Sequence, residues 1–182
     1  MQFCAGGVRS ASASMRPTSA PRPAANTWPC VASARQLACS LRAMSITEMD
    51  NILFSAMTMS TQPLHMDFEF CKTTRWGKPL VHSIFTLGLI MGLAVQDTTY
   101  GTTIANLGMS LVKFPHPVFH GDTIRATTKV NAMRRSNSIP DAGIVELEHH
   151  GFNQHGDLVA VCVRSALMNC LPVAAKSDAI AA

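Results

Sequence analysis

The longest apolar run in the sequence spans residues 79–95, PLVHSIFTLGLIMGLAV. Apolar side chains fall on every side of a helix drawn through it and include residues at helical spacing, namely Leu80, Ile84, Leu87 and Met91. Because proline is tolerated in the first turn of a helix, Pro79 is expected there. A membrane span needs ~20 apolar residues, and polar residues and glycines interrupt this run. The pattern therefore predicts one long helix enclosed by the rest of the domain.

The segments after this run are strand-like. Apolar and polar residues alternate through residues 123–132, which is the period of a strand with one buried face. The segments IANLGMSLVKF, IVELEHHGF and LVAVCVRSALM are further strands, and a turn at Gly156-Asp157 joins the last two. One buried helix followed by an antiparallel meander predicts an α+β domain whose sheet curls around the helix.

The first 47 residues differ from the rest, since they contain five Arg, no Asp or Glu, and many Ala, Ser and Pro. Such a segment offers little apolar surface to offset its ordering entropy. We therefore expect a disordered leader over 1–43, a domain over 44–172 and a disordered tail over 173–182. The leader is either an organelle transit peptide or an extension upstream of the true start. The protein is expected in the cytoplasm, or in the mitochondrial matrix if the leader is a transit peptide.

From Glu48 onward ten Lys and Arg oppose eleven Asp and Glu, a net charge of −1. No nucleic-acid or membrane partner is expected from this balance. The six cysteines include no C-x-x-C pair and the histidines no metal-ligand spacing, so no metal is expected. His149 and His150 would point to opposite faces of a strand and are expected at the surface or in a hairpin.

Four segments, QPLHMD, GKPLVHSIFTL, VKFPHPVFHGDTIRA and GFNQHGDLVAVCV, occur in this order. Together they resemble the MaoC-like dehydratases, the R-specific enoyl-CoA hydratase group of the hot-dog fold, over about residues 48–170. The resemblance implies a single hot-dog domain that adds water to an enoyl-CoA or removes it from a 3-hydroxyacyl-CoA. It also implies no cofactor beyond the CoA of the substrate, and a homodimer or a dimer of dimers.

The family motif D-x-N-P-x-H falls on residues 60–65 with two departures. It implies that His65 is the general base, a task that suits imidazole because imidazole ionises near neutral pH. The asparagine position holds Gln62 and the aspartate position holds Ser60, so one of these two side chains is left to orient the water. In the family a backbone N–H at the start of the buried helix polarises the thioester carbonyl, which implies Ser83 here.

The substrate is indicated less directly. His82 is either a second polar group of the pocket or a histidine at the helix N-terminus. The segments TQPLH and GTTIANLG resemble short MaoC-like proteins linked to branched C5 dicarboxylyl-CoA esters such as mesaconyl- or itaconyl-CoA. A second substrate carboxylate would favour an arginine partner, and the candidates are Arg75, Arg125, Arg134 and Arg135.

Two other functions fit the same resemblance. A hot-dog acyl-CoA thioesterase would need a carboxylate or an activated water against the thioester carbon, and Glu69 is the extra acid near the motif. A non-catalytic acyl-CoA-binding subunit would have kept the fold after losing the aspartate of the motif. Asp67 is expected to cap a short helix in DFEFCK and not to replace that aspartate.

Overall fold

The computed structural model describes residues 38–170. The elements in this part of the chain are, in order, β1 (Ala38–Ser45), α1 (Glu48–Met57), α2 (Pro63–Met66), α3 (Phe68–Lys72), α4 (Ser83–Thr98), β2 (Thr103–Lys113), β3 (Thr123–Arg135), β4 (Ala142–Phe152) and β5 (Leu158–Asn169). The strands pair antiparallel in one sheet of order β1-β3-β4-β5-β2, and α4 packs on β1, β3, β4 and β5. The α+β prediction, with a sheet around one long helix, is confirmed.

The first strand begins earlier than the sequence predicts. Composition predicted disorder up to residue 43, yet β1 begins at Ala38 and pairs antiparallel with β3, with a break in register between Cys39 and Ala43. Backbone hydrogen bonds to a neighbouring strand form whatever the side-chain composition, so a compositional argument does not detect them. The rest of the predicted leader, residues 1–37, and the predicted tail, 173–182, lie outside the described residues.

The long helix α4 begins at Ser83, four residues later than predicted. Pro79 and Leu80 precede it in an extended segment, where Leu80 forms a β-bridge with Phe119. The buried face of α4 consists of Thr86, Leu87, Ile90 and Ala94. Ile84 is 51% exposed, so residues 38–170 enclose the helix on one side only. No helix within residues 38–170 is both long and apolar enough to cross a membrane.

Helix α4 contacts β4 where Ile90 lies against Gly151. Ile90 is fully buried, and a Cβ added to Gly151 would lie 2.5 Å from Ile90 Cγ2. Glycine at this strand position leaves the space that the branched side chain fills. The contact therefore sets how deeply α4 lies against the sheet.

A buried polar cluster lies on the same face of the sheet. His149 precedes Gly151 by two residues on β4, and adjacent strands contribute Thr128 and Arg164. Arg164 Nε donates to His149 Nε2 at 2.9 Å, so the ring proton is on Nδ1, which lies 2.8 Å from Thr128 Oγ1. The expectation that His149 lies at the surface is wrong, because strand alternation turns it toward the helix and its polar partners satisfy both nitrogens.

Acid should destabilise the fold through His149. Burial, and then the charges of Arg164 and His150, lower the pKa of His149 from 6.5 to about 4. The folded state holds the neutral ring, so this contribution to the unfolding free energy is present above the unfolded pKa and is lost as pH falls from about 6.5 through about 4. The loss is on the order of 3 kcal/mol, which urea unfolding at neutral pH and at low pH would measure.

Two variants separate this effect from general acid sensitivity. His149→Gln does not titrate and keeps an acceptor for Arg164, so its stability should depend less on pH. His155→Gln, at an exposed position, should behave like the wild type. Equal acid sensitivity in the wild type and in His149→Gln would contradict the prediction.

Candidate active site

The C-terminal turn of α1 determines the position of Ser60. The Ser60 N–H donates to Ser55 O at 2.9 Å and the Met59 N–H donates to Ala56 O at 3.3 Å, which is the Schellman pattern of a helix C-terminus. Met59 occupies the left-handed position of this motif with φ 57°, a conformation that costs a non-glycine residue about 1 kcal/mol. The backbone therefore turns sharply at Met59 and delivers Ser60 to the start of the motif segment.

Hydrogen bonds to α3 and to the segment before α4 hold the segment that carries His65. Pro63 occupies the first turn of α2, where its missing N–H costs nothing. The carbonyl of Leu64 accepts from the Leu80 N–H at 3.1 Å and from the thiol of buried Cys71 at 3.3 Å. The first of these bonds fastens α2 to the segment before α4, and the second fastens it to α3.

The proton of His65 can be assigned from its partner. Nδ1 of His65 lies 2.9 Å from Leu80 O, and a carbonyl only accepts, so Nδ1 carries the proton. In the neutral ring Nε2 then holds a lone pair, and this atom makes no hydrogen bond to any residue within 38–170. His65 also lines a cavity of about 370 Å³. Its Nε2 can therefore act as a base toward a bound molecule.

His82 is the N-cap of α4. Its Nδ1 accepts from the Ile84 N–H at 3.2 Å, so in the neutral ring the proton is on Nε2, which donates to Ser60 Oγ at 2.9 Å. Burial, and then the neighbouring His65, lower the pKa of His82. The centroids of the two histidine rings lie 4.7 Å apart. His82 is thus both a helix N-terminal histidine and a neighbour of the proposed base.

Ser60 Oγ accepts the hydrogen bond from His82, which leaves the Ser60 hydroxyl proton unused in that bond. A hydroxyl is one donor and two acceptors, so Ser60 can still donate to a bound water and accept from another group. The position that holds an acid in the family motif therefore holds a neutral hydroxyl whose orientation His82 fixes.

No carboxylate within residues 38–170 replaces the missing acid by hydrogen bonding to Ser60 or to either histidine. The Asp67 side chain accepts from the Phe70 N–H at 2.9 Å and caps α3, as the sequence predicted. Glu69 pairs with Lys72 at the surface, with 82% of its side chain exposed. Among the described residues no group of three or more His, Cys, Asp or Glu is arranged to hold a metal ion.

Ser83 is the first residue of α4 and lines the same cavity as His65. Its backbone N–H, one of the donors left over at a helix start, bonds to no residue in the described part of the chain. The positive end of the helix dipole lies at the same place. An oxygen that gains negative charge in the cavity can therefore be stabilised there.

Two cation–aromatic pairs lie in this region, and one of them lines the cavity. Arg75 and Trp76 line it, and Arg75 Cζ lies 4.3 Å from the centroid of the Trp76 ring. Lys78 Nζ lies 4.1 Å from the centroid of the Phe119 ring. The lining also includes the turn after β2, residues 114–118. Arg75 is the cation that lines the cavity, and no acid within residues 38–170 bonds to its histidines, so the site suits an anionic substrate.

Gln62 and Arg125 lie apart from this arrangement. Gln62 is exposed at the N-cap of α2, and its contribution is the backbone carbonyl that accepts from the His65 N–H at 2.9 Å. Arg125 is exposed on β3, between the inward-facing Ile124 and Ala126. Neither side chain lines the cavity.

Asn51 and His120 are site residues that the sequence analysis missed. Asn51 is fully buried on α1, and its Oδ1 accepts from the His82 N–H at 2.9 Å. Its Nδ2 has acceptors at 3.0–3.1 Å, namely His65 O, Leu80 O and His120 Nε2. The signal was available, because Asn51 and Ser55 are polar residues one turn apart in the otherwise apolar NILFSAM.

Comparison with known proteins gives a consistent family. Residues 36–151 match the MaoC like domain. The (R)-specific enoyl-CoA hydratase of Aeromonas caviae is 36% identical over 105 residues, which are 58% of this chain and 73% of that protein. The mesaconyl-CoA hydratase of Cereibacter sphaeroides is 28% identical over 130 residues, which are 71% of this chain but only 37% of that protein.

A solved structure agrees on the fold. A Mycobacterium tuberculosis protein described as a double hot-dog fold is 20% identical to this chain, with a TM-score of 0.68 over 75% of this chain and 42% of that one. The likeness at this identity concerns the fold, and it confirms the hot-dog prediction. Since the MaoC like domain covers more than half of the sequence, the chain belongs to the MaoC-like family of hot-dog proteins.

Proposed function

We propose that this chain is a hydratase/dehydratase, a carbon–oxygen lyase that adds water to an enoyl-CoA or removes it from a 3-hydroxyacyl-CoA. The observation that carries the proposal is that His65, whose Nε2 is free to accept a proton, lines the same cavity as Ser83, whose N–H is unpaired among the described residues. The names of the relatives support the same reaction class. CoA belongs to the substrate, and no other cofactor is required by this chemistry.

In the hydration direction His65 acts as a general base. Its Nε2 takes one proton from water while the water oxygen bonds to the β-carbon, and the double-bond electrons move toward the α-carbon and the thioester oxygen. The Ser83 N–H donates to that oxygen as it becomes negative. His65 then gives its proton to the α-carbon and returns to the neutral form. Dehydration runs through the same steps in reverse.

Ser60 orients the water in this scheme, in preference to exposed Gln62. The Ser60 hydroxyl accepts from His82 and can donate to the water oxygen, which turns the water protons toward His65. The family motif assigns this place to an aspartate that would share the proton transfers. Here one imidazole carries both transfers, and the neutral hydroxyl supplies orientation only.

A branched C5 dicarboxylyl-CoA such as mesaconyl- or itaconyl-CoA is the proposed substrate. Arg75 is the partner proposed for the second carboxylate, since it lines the cavity and stacks on Trp76, which leaves its N–H groups available for a bidentate bond. The similarity to mesaconyl-CoA hydratase supports this class.

One alternative retains a specific observation in its favour. The absence of a carboxylate bonded to the site histidines within residues 38–170 suits a non-catalytic acyl-CoA-binding subunit. The thioesterase alternative has no such support, because Glu69 is exposed and paired with Lys72. Assaying purified protein with crotonyl-CoA and mesaconyl-CoA separates the three. Loss of enoyl absorbance indicates hydration, thiol release indicates thioester hydrolysis, and binding without either indicates the non-catalytic subunit.

Replacing His65 with Ala should lower turnover by ~10²–10⁴, because it removes the general base. The matched control is Ser83→Ala, which keeps the backbone N–H and should lower turnover much less. Substrate KM should change little in either variant. Turnover of His65→Ala within twofold of the wild type would exclude His65 as the base.

Ser60→Asp extends the same series by restoring the family spacing D-x-Q-P-L-H. If the chain has merely lost its acid, this variant should hydrate crotonyl-CoA faster than the wild type. Abolished activity would instead show that the Ser60–His82 hydrogen bond belongs to an arrangement a carboxylate disrupts. A wild type that binds CoA esters and hydrates none of them would favour the non-catalytic alternative.

Arg75→Ala should distinguish dicarboxylyl from simple acyl chains. Losing a hydrogen-bonded charge pair should raise KM for mesaconyl-CoA by roughly 10- to 100-fold and leave KM for crotonyl-CoA nearly unchanged. Arg125→Ala is the matched control, since it removes an exposed arginine outside the cavity. Equal effects of Arg75→Ala on the two substrates would contradict the role in carboxylate recognition.

We propose a homodimer, or a dimer of dimers, joined along β2. This edge strand exposes apolar side chains, including Ile104, Leu107, Met109, Leu111 and Val112, and such edges favour pairing with another chain. The turn after β2 lines the cavity, so a second copy there would border the site. Leu111→Lys should shift sedimentation toward monomer, whereas Met57→Lys on α1 should not. A wild type that sediments as monomer at micromolar concentration would contradict the proposal.

A further inference from the structure

The buried amide of Asn51 is the one side chain in the described residues that bonds to both segments carrying the site histidines. Its carbonyl oxygen accepts from the His82 N–H at 2.9 Å, and its NH2 group lies 3.0 Å from His65 O. Asn51 itself belongs to neither segment, because it projects from α1 with no exposed surface. It therefore spans the gap between α2 and the start of α4.

Asn51 also touches the carbonyl that decides the proton position on His65. The oxygen of Leu80 lies 3.1 Å from Asn51 Nδ2 and 2.9 Å from His65 Nδ1, so one acceptor serves both donors. A carbonyl has two lone pairs and can accept both bonds. The orientation that Asn51 imposes on Leu80 O is thus the orientation that holds the His65 proton on Nδ1.

His120 is the third group within hydrogen-bond distance of the Asn51 amide nitrogen. Asn51 Nδ2 lies 3.0 Å from His120 Nε2, and burial is the main cause that lowers the pKa of His120. The amide nitrogen has only two hydrogens for the carbonyls of His65 and Leu80 and for this ring, so the hydrogens are shared among them. With all its atoms engaged, the Asn51 side chain has one rotamer that satisfies its surroundings.

We propose that Asn51 is a positioning residue for the reaction, which sets the separation of the two histidine rings and keeps the lone pair of His65 on Nε2. The kinetic part of this inference rests on the proposed function, whereas the tautomer part does not. An amide that only joined α1 to the rest of the domain would contribute to the free energy of unfolding. It would not determine which nitrogen of the His65 ring carries the proton.

Ser55 offers a matched control on the same helix face. It follows Asn51 by one turn, is fully buried, and carries a hydroxyl with no hydrogen-bond partner in the described part of the chain. Removing an unpaired buried hydroxyl is neutral or stabilising. Ser55→Ala therefore changes the packing of α1 and leaves the contacts to the histidines intact.

The experiment combines long-range ¹H–¹⁵N spectra of the histidine rings with steady-state kinetics on full-length protein. The wild type should show His65 as the Nδ1–H form and His82 as the Nε2–H form. Asn51→Ala should show His65 as a mixture of tautomers and should lower turnover by roughly 10- to 100-fold with little change in KM, the penalty of misplaced groups. Ser55→Ala should match the wild type in both measurements.

Asn51→Asp separates the contribution of the Asn51 carbonyl oxygen from that of its NH2 group. It keeps an oxygen for the His82 N–H and removes the amide hydrogens that reach His65 O and Leu80 O. The signal of His82 should therefore persist while that of His65 changes. If Asn51→Ala does not fold, Asn51→Asp provides the test of the His65 tautomer instead.

Three results would overturn the proposal. The first is a wild-type spectrum in which His65 is not held as the Nδ1–H form, a test that needs no variant. The second is a folded Asn51→Ala with unchanged tautomers. The third is unchanged turnover in that variant on a substrate that the wild type hydrates. A wild type without hydratase activity removes the proposed function alone, because the spectra still decide the role of Asn51.

Discussion

The packing of α4 on β4 is the constraint on which the rest of the molecule depends. Ile90 fills the space left by Gly151. A Cβ at position 151 would lie 2.5 Å from Ile90 Cγ2, so no other residue type at this position permits the helix to lie at the same depth. Because α4 is rigid, this depth also fixes its first turn. His82 and Ser83 are therefore held by an apolar contact two turns away, and the chemistry of the cavity depends on a glycine in the sheet.

Much of the fold could be predicted from hydrophobic period alone. Strands β2 to β5 and the long helix follow from spacing, whereas β1 was not predicted, and the motif around His65 followed from a family resemblance. The apolar run placed the start of α4 four residues too early, because it continues into the extended segment of Pro79 and Leu80, whereas the family resemblance implied a start at Ser83. Helix α1 was also missed, although Thr47 and Asp50 form a capping box that marks its start.

The contacts of the site that could not be predicted from the sequence share one physical reason. Ser60, His82 and Asn51 meet through contacts between residues 22 to 31 positions apart, and spacing along the chain carries no information on such contacts. The same limit applied to His149, whose polar type indicated the surface although its strand position indicated the interior. In both cases the deciding quantity is the identity of the partner, which only the folded chain supplies. Asp67 was predictable because its partner is three residues away.

The cap of α4 has a consequence of its own. A serine or aspartate cap accepts a hydrogen bond at any ordinary pH, whereas the ring of His82 accepts from Ile84 only while Nδ1 is bare. One proton on that nitrogen would turn the cap into a repulsive neighbour of the Ile84 N–H. The first turn of the helix and the dipole that it presents to the cavity thus share a single ionisation. The stability of the first helical turn and the positive potential at the cavity therefore both depend on whether His82 Nδ1 carries a proton.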